Sequence, residues 1–232
     1  MARKDKDEDL QLENRNLISL INPKSPMAEQ IRTVRTNIEF SSVDVDLRTI
    51  VVTSPNPAEG KSTITANLAV VFAQQGKRVL VIDSDLRKPT NHYTFQVENH
   101  IGLSNVLTKQ TTFERTVQAT KQENLWILTS GPIPPNPSEL LGSRNMIALL
   151  EKAKNEYDII ILDSPPVLAV TDAQILSNLT DGVVLVVSSG KTPIDSAKKA
   201  KDQLESVKAK ILGVILNNKK VRENQYYYYG EK

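Results

Sequence analysis

Residues 54–89 read SPNPAEGKSTITANLAVVFAQQGKRVLVIDSDLRKP. The run Gly60-Lys61-Ser62-Thr63 opens a helical pattern, and the next apolar run, RVLVID (78–83), ends in Asp83, with Asp85 two residues on. A glycine before Lys-Ser at the start of a helix lets the backbone approach a phosphate, and the helix directs its unpaired N–H groups at it. The full phosphate-loop pattern has an earlier glycine, where this chain has Pro55. A chance Gly-Lys-Ser at a helix start is therefore the competing reading. The setting between a buried strand and a helix favours the loop.

Outward from this stretch, apolar runs rich in Val and Ile recur at 49–54, 78–83, 125–130, 157–164, 182–189 and 211–217. They are continuous rather than alternating, as in parallel strands covered on both faces. Helical patterns lie between them at 61–75, 138–156, 172–179 and 193–208, and an earlier one spans 25–40, starting near Ser25 or Pro26. Strand and helix in alternation predict an α/β, doubly wound, mostly parallel sheet with the P-loop NTPase fold. Ligands in such sheets sit at the carboxyl ends of the strands, where these motifs fall. Residues 1–20 read as a flexible segment, 21–217 as one domain and 218–232 as a flexible tail. The proline-rich SGPIPPNPSELLG (130–142) reads as a loop on the nucleotide-facing edge.

Composition narrows the function. The 232 residues suit one domain, and none is cysteine, which removes disulfides, thiolate metal sites and a cysteine nucleophile. With 29 Lys and Arg against 27 Asp and Glu the net charge is +2, too balanced to argue for nucleic acid. The charged start lacks a secretory apolar core, and no apolar window is long enough to span a bilayer. These features are compatible with a cytoplasmic chain.

Three carboxylates gather by pattern. In an extended chain, Asp83 and Asp85 would project to the same side. Two such groups repel, and a divalent cation relieves the repulsion. One can help to bind the metal while the other accepts a proton from an attacking hydroxyl. A helix cap followed by solvated charge is the alternative, weakened by the pair and by Arg87. In YDIIILDSPP, Asp163 ends a strand like a Walker B aspartate holding Mg²⁺. His92 and His100 have no metal spacing and read as loop residues, and Trp126 reads as core. Glu29, Arg32 and Arg35 share one side of a helix, which from spacing alone is a solvated face. The tail RENQYYYYGEK sets Tyr226, Tyr227, Tyr228 and Tyr229 side by side in polar surroundings, as docking rings or as phosphoryl acceptors.

Together, SPNPAEGKST, VLVIDSDLRKP, IIILDSPP, EQIRTVR, SGPIPPNPSELL and the tyrosine cluster resemble the bacterial protein-tyrosine kinases, the autokinases of capsular and exopolysaccharide synthesis. The likeness runs from about residue 20 to the end. It implies that Ala58, Glu59, Gly60, Lys61, Ser62 and Thr63 bind ATP, and that Ser62, Asp83, Asp85 and Asp163 handle Mg²⁺. Lys61, Asp83, Asp85 and Asp163 are then catalytic. It further implies that Glu29, Arg32 and Arg35 assemble a ring, an octamer in the family, in which Tyr226–Tyr229 are phosphorylated in trans. A membrane adaptor that activates the kinase and recruits it to the inner face of the membrane, a cognate tyrosine phosphatase and other protein substrates are implied partners. The chain resembles the split form without fused transmembrane helices. One departure is Pro57-Ala58 where the family often has Pro-Gly. Alanine resists positive φ, which predicts an altered loop geometry or nucleotide affinity.

Two other classes compete. A partitioning or division-site switch ATPase usually carries a second lysine early in its phosphate loop, which SPNPAEGKS lacks, and has no use for a tyrosine run. A catalytically dead interaction protein would not need Lys61, Asp83, Asp85 and Asp163 together. No H-R-D or D-F-G element is present.

Overall fold

The computed structural model describes residues 17–41 and 46–219. The elements in chain order are α1 (Ile18–Ile21), α2 (Pro26–Phe40), β1 (Thr49–Thr53), α3 (Lys61–Ala73), β2 (Val79–Asp83), α4 (Asn91–Phe95), α5 (Leu103–Leu107), α6 (Phe113–Thr116), β3 (Gln118–Ala119), β4 (Leu125–Leu128), α7 (Pro137–Leu141), α8 (Arg144–Glu156), β5 (Ile159–Asp163), α9 (Asp172–Ser177), β6 (Gly182–Ser188), α10 (Ile194–Ser206) and β7 (Ile211–Asn217). The strands form one sheet in the order β3–β4–β2–β5–β1–β6–β7. Every neighbouring pair is parallel except β3 with β4. The expected doubly wound architecture is present.

Each central strand is buried along its whole length because both faces are covered. One core layer joins Leu80, Ile82, Ile160 and Leu162 to α8, α9 and α10 through Leu149, Leu176 and Leu204. The other joins Val52, Val81 and Ile161 to α3 and α2 through Leu68, Phe72 and Ile31. From Ile64 to Ala73 every residue of helix α3 is buried, as in a helix sandwiched between the sheet and α2. Helix α2 starts as its sequence predicts: the Ser25 hydroxyl accepts from Ala28 N–H at 3.2 Å, with Pro26 in the first turn. Trp126 packs against the core and meets Tyr157 edge-on at 5.5 Å between ring centroids.

Three departures from the sequence reading have physical causes. The helix expected over 138–156 is two, because Gly142 ends α7 and the Ser143 hydroxyl caps α8 by accepting from Met146 N–H at 3.3 Å. Strand β7 is not covered on both faces. It is the last strand of the sheet, and Val214 and Leu216 are exposed. Asp85 lies past the end of β2, so a loop rather than extended strand geometry sets its direction.

The two halves of the sheet are pinned where β1 begins. One oxygen of Asp181 accepts from Arg48 N–H at 3.0 Å, Thr49 N–H at 2.8 Å and the Thr49 hydroxyl at 2.8 Å. Asp181→Ala leaves two backbone donors without their carboxylate, at a cost of about 2–4 kcal/mol. Urea unfolding should show the midpoint lowered with an unchanged slope. A midpoint within error of the parent would contradict the assignment.

Candidate active site

Adjacent strands in register bring the acids together. Asp83 and Asp163 are paired positions on β2 and β5, and Val52 on β1 stands beside Asp163. The loop after β1 therefore leaves the sheet next to both aspartates and delivers Lys61 at the first position of α3. The Lys61 ammonium lies 3.1 Å from Asp85 Oδ2, 3.5 Å from Asp163 Oδ1 and 3.3 Å from Ser62 Oγ. Burial acts to lower the lysine's pKa, but the charges of Asp163 and Asp85 outweigh it, and the value ends above the ordinary one.

Each carboxylate has a different environment. Asp85 accepts from the backbone N–H groups of Arg87 and Lys88 as well as from Lys61. Asp163 accepts from Asn91 Nδ2 at 2.7 Å on its second oxygen. Fully buried Asp83 accepts on Oδ2 from Thr90 and Asn91 N–H at 3.2 and 3.0 Å, while its Oδ1 has no hydrogen-bond partner. Burial, then repulsion from Asp163, pushes the Asp83 carboxyl up to about 7. A carboxylate with such a pKa can take a proton near neutral pH.

The phosphate loop is held from three sides. Glu59 is buried, and its carboxylate accepts from Asn56 N–H, Asn56 Nδ2 and the Thr192 hydroxyl, the last at 2.7 Å. This side chain is occupied inside the protein, so what Glu59 can offer a phosphate is its backbone N–H. The Lys191 ammonium donates to Ala58 O at 3.0 Å, and Asn217 Nδ2 donates to Glu59 O at 3.0 Å. Gly60 has φ +91°, and a Cβ there would stand 2.1 Å from Asn217 Nδ2. Ala58 takes φ +60° despite its side chain, at a cost of about 1–2 kcal/mol. The left-handed turn anticipated to be difficult for alanine is thus adopted.

Sequence reasoning missed several of these residues. Asn91 bridges the two buried acids, its backbone on Asp83 and its amide on Asp163, in a stretch with no motif. Arg87 was noted only as a charge. It makes a two-pronged ion pair with buried Asp172, at 2.9 and 3.0 Å, and donates to Ser138 Oγ, which itself donates to Asp172 at 2.6 Å. That network ties the acidic loop to α7 and α9, so the proline-rich loop leads into a helix anchored at the site. His92 lies in α4, and His100 in an irregular segment.

The site suits Mg²⁺ and a nucleotide. Asp83 Oδ1 is a buried carboxyl oxygen without a hydrogen-bond partner, Ser62 next to Lys61 carries a hydroxyl, and the first N–H groups of a helix such as α3 suit a phosphate. Among the described residues no three His, Cys, Asp or Glu side chains could cage an ion alone. Mg²⁺ commonly takes one or two carboxylates, water and substrate phosphate instead. Both oxygens of Asp163 are engaged, which favours contact through water.

On the ring motif, Arg32 pairs with Glu29 at 2.8 Å and donates to Pro23 O at 2.6 Å. Arg35 turns inward and donates to Val71 O of α3 at 3.2 Å. Tyr226, Tyr227, Tyr228 and Tyr229 lie outside the described residues.

A strand, a tight loop and a helix carrying Lys61 and Ser62, with strand-end aspartates alongside, define a P-loop nucleotide-binding domain. The sequence matches the family described as an AAA domain over residues 47–219. It is 56% identical over 219 residues to the tyrosine-protein kinase YwqD of Bacillus subtilis, covering 94% of this chain and 92% of the relative. The crystal structure of the chimerical protein CapA2B2 superposes with a TM-score of 0.86 at 47% identity, over 88% of this chain and 90% of that one. The kinase domain of the Escherichia coli tyrosine kinase ETK superposes with a TM-score of 0.86 at 33% identity, over 93% and 85%. The chain belongs to the bacterial tyrosine-protein kinases. It is a protein-tyrosine kinase with a nucleotide-binding P-loop. No helix among the described residues is long and apolar enough to cross a membrane.

The pH behaviour follows from Asp83. Its folded-state pKa of about 7 lies above the ordinary 3.8. Between those values the folded chain keeps a proton that the unfolded chain has lost, so this group makes stability fall as pH rises, with the full penalty present above about 7. Asp83→Asn keeps an acceptor for Thr90 and Asn91 and carries no charge. Without nucleotide it should raise stability by a few kcal/mol at pH 8, by order of magnitude, with the gain vanishing toward pH 4. Thermal melts across that range decide it; a gain independent of pH contradicts the shift.

Proposed function

We propose that this kinase is an ATP-dependent autokinase that phosphorylates Tyr226, Tyr227, Tyr228 and Tyr229 of a neighbouring copy. The observation that carries this reading is the Lys61 ammonium held among Asp85, Asp163 and Ser62 at the mouth of the phosphate loop. The arriving phosphates give Lys61 a stronger partner than the carboxylates, and it turns toward the β- and γ-phosphates. Gly60, Lys61, Ser62 and Thr63, with the backbone of Ala58 and Glu59, wrap the phosphate chain. Mg²⁺ supported by Ser62 and the aspartates would neutralise the phosphate charge. The tyrosine oxygen then bonds to the γ-phosphorus, the bond from that phosphorus to the β,γ-bridging oxygen breaks, and ADP departs. The phenolic proton passes to Asp83 or Asp85, and the raised pKa of Asp83 suits that role.

Assembly through Glu29, Arg32 and Arg35 into a homo-oligomeric ring would present one copy's tail to the next copy's site. Each phosphate adds about −1.5 to −2 charges, so modified tails would repel and loosen the ring. By the same resemblance we place the kinase in the regulation of capsular or exopolysaccharide synthesis, in the cytoplasm, drawn to the membrane by an adaptor and reset by a tyrosine phosphatase. Solved division-site ATPases share the fold, but at a lower likeness than the kinase domains, so the switch-ATPase reading is the weaker of the two.

Two measurements test this. With ATP and Mg²⁺, peptide mass spectrometry should find phosphate on residues 226–229, and Lys61→Met should abolish it, by at least about a hundredfold. Hydrolysis with an unmodified tail, even with the adaptor's cytoplasmic segment added, would overturn the autokinase reading. For assembly, Arg32→Ala is cleaner than Arg35→Ala, because Arg35 also holds α3 within the chain. Light scattering should show Arg32→Ala reduced to lower mass, and an unchanged mass would remove the ring.

A further inference from the structure

Strand β7 leaves a large apolar surface uncovered. Val214, Leu216 and Ile194 are 60%, 52% and 74% exposed. With Val187 and Ala197 they line a groove of about 610 Å³ between the sheet edge and α10. Lys198 and Lys201, one turn apart on α10, stand at its rim with Glu205, which pairs with Lys201 at 3.0 Å. The outer edge of β7 pairs with no strand among the described residues. The described chain ends at Lys219, two residues past β7, and residues 220–232 carry the four tyrosines.

We propose that this groove is the docking site of the chain's own tyrosine tail. The rings of Tyr226–Tyr229 cover Val214 and Leu216, the tail backbone pairs with the open edge of β7, and phosphates on the tyrosines meet Lys198 and Lys201. Three observations select this occupant. The first is reach: seven residues from Lys219 to Tyr226 span up to ~25 Å, and β7 is ~23 Å long, so the tail can turn and run back along the strand. The second is chemistry: strand addition supplies main-chain hydrogen bonds, and aromatic side chains with polar tips suit an apolar floor with a wet rim. The third is charge: Lys198 and Lys201 at the rim outnumber Glu205, and they match phosphates on the tail better than bare phenols. Tethering places the tail at an effective concentration of about millimolar. The regulatory consequence rests on the autokinase reading: a tail docked on its own subunit is withheld from the neighbouring active site, and phosphorylation strengthens the withholding.

Hydrogen exchange on the full chain, purified without ATP, tests the docking separately from the kinase activity. The parent is compared with Y226S/Y227S/Y228S/Y229S at two protein concentrations. The expected result is at least tenfold slower exchange over 211–217 in the parent, independent of concentration. Chymotrypsin should cut at 226–229 several-fold faster in Leu216→Lys than in the parent. Identical exchange in the two chains overturns the proposal. So does protection that grows with concentration, which would seat a second copy there, or protection that appears only when the adaptor's cytoplasmic segment is added. Loss of tail phosphorylation in an ATP assay would leave these measurements unchanged.

Discussion

The ion cluster around Lys61 is the constraint on which the rest of the site depends. A lysine and three aspartates within the buried ends of a parallel sheet would be ruinous if any one were left alone, because removing a charge from water costs several kcal/mol per ion. The cost is offset by register and by donors. Asp83 and Asp163 are paired on adjacent strands, Lys61 spans Asp163 and Asp85, and Asn91 clasps Asp83 with its backbone and Asp163 with its amide. Even so, one oxygen of Asp83 has no donor. Lys61 offsets only part of the charge of the three acids, and that part is lost if Lys61 is drawn to phosphate. A divalent ion held by these carboxylates would supply positive charge there.

The phosphate loop gains its shape from neighbours rather than from glycine alone. Glu59 is the centre: its side chain gathers Asn56 and Thr192, and its carbonyl accepts from Asn217. With Lys191 on Ala58, the loop is fastened to the turn after β6 and to the end of β7. Pro55 in place of the first glycine is tolerated because that position is followed by a turn locked through Ser54 Oγ to Asn56 O at 2.8 Å. The same fastening holds Ala58 in the left-handed region that an alanine would not choose.

Much of this was legible in the sequence where chemistry and periodicity coincide. Continuous Val and Ile runs give buried parallel strands, and Lys61, Asp83 and Asp163 sit at element ends where burial and charge conflict unless a ligand is involved. What was not legible depends on tertiary partners. Asn91 lies in a polar stretch with no period, and its role exists only because β5 lies next to β2. Asp172 reads as an ordinary acid in a first helical turn, yet it is buried by Arg87 and Ser138 arriving from distant segments. The openness of β7 was hidden because an edge strand with exposed Val214 and Leu216 has the same composition as a covered one. The split of 138–156 turned on one glycine and one capping serine.

Helix α2 raises a last point about how assembly and catalysis connect. From spacing alone, Glu29, Arg32 and Arg35 were a solvated face, and by resemblance a contact between subunits. The geometry separates the two arginines. Arg32 stays near the surface with Glu29, while Arg35 reaches under the helix to the Val71 carbonyl of α3, with its Nε buried and without a hydrogen bond, 3.8 Å from Glu39. Because α3 begins at Lys61, a force that moves α2 is transmitted through Arg35 and the shared core of Ile31, Leu68 and Phe72 to the helix that carries the phosphate clamp. Close-packed interiors have low compressibility and transmit strain. A neighbour engaging α2 would therefore press on a helix packed directly against the one that carries Lys61.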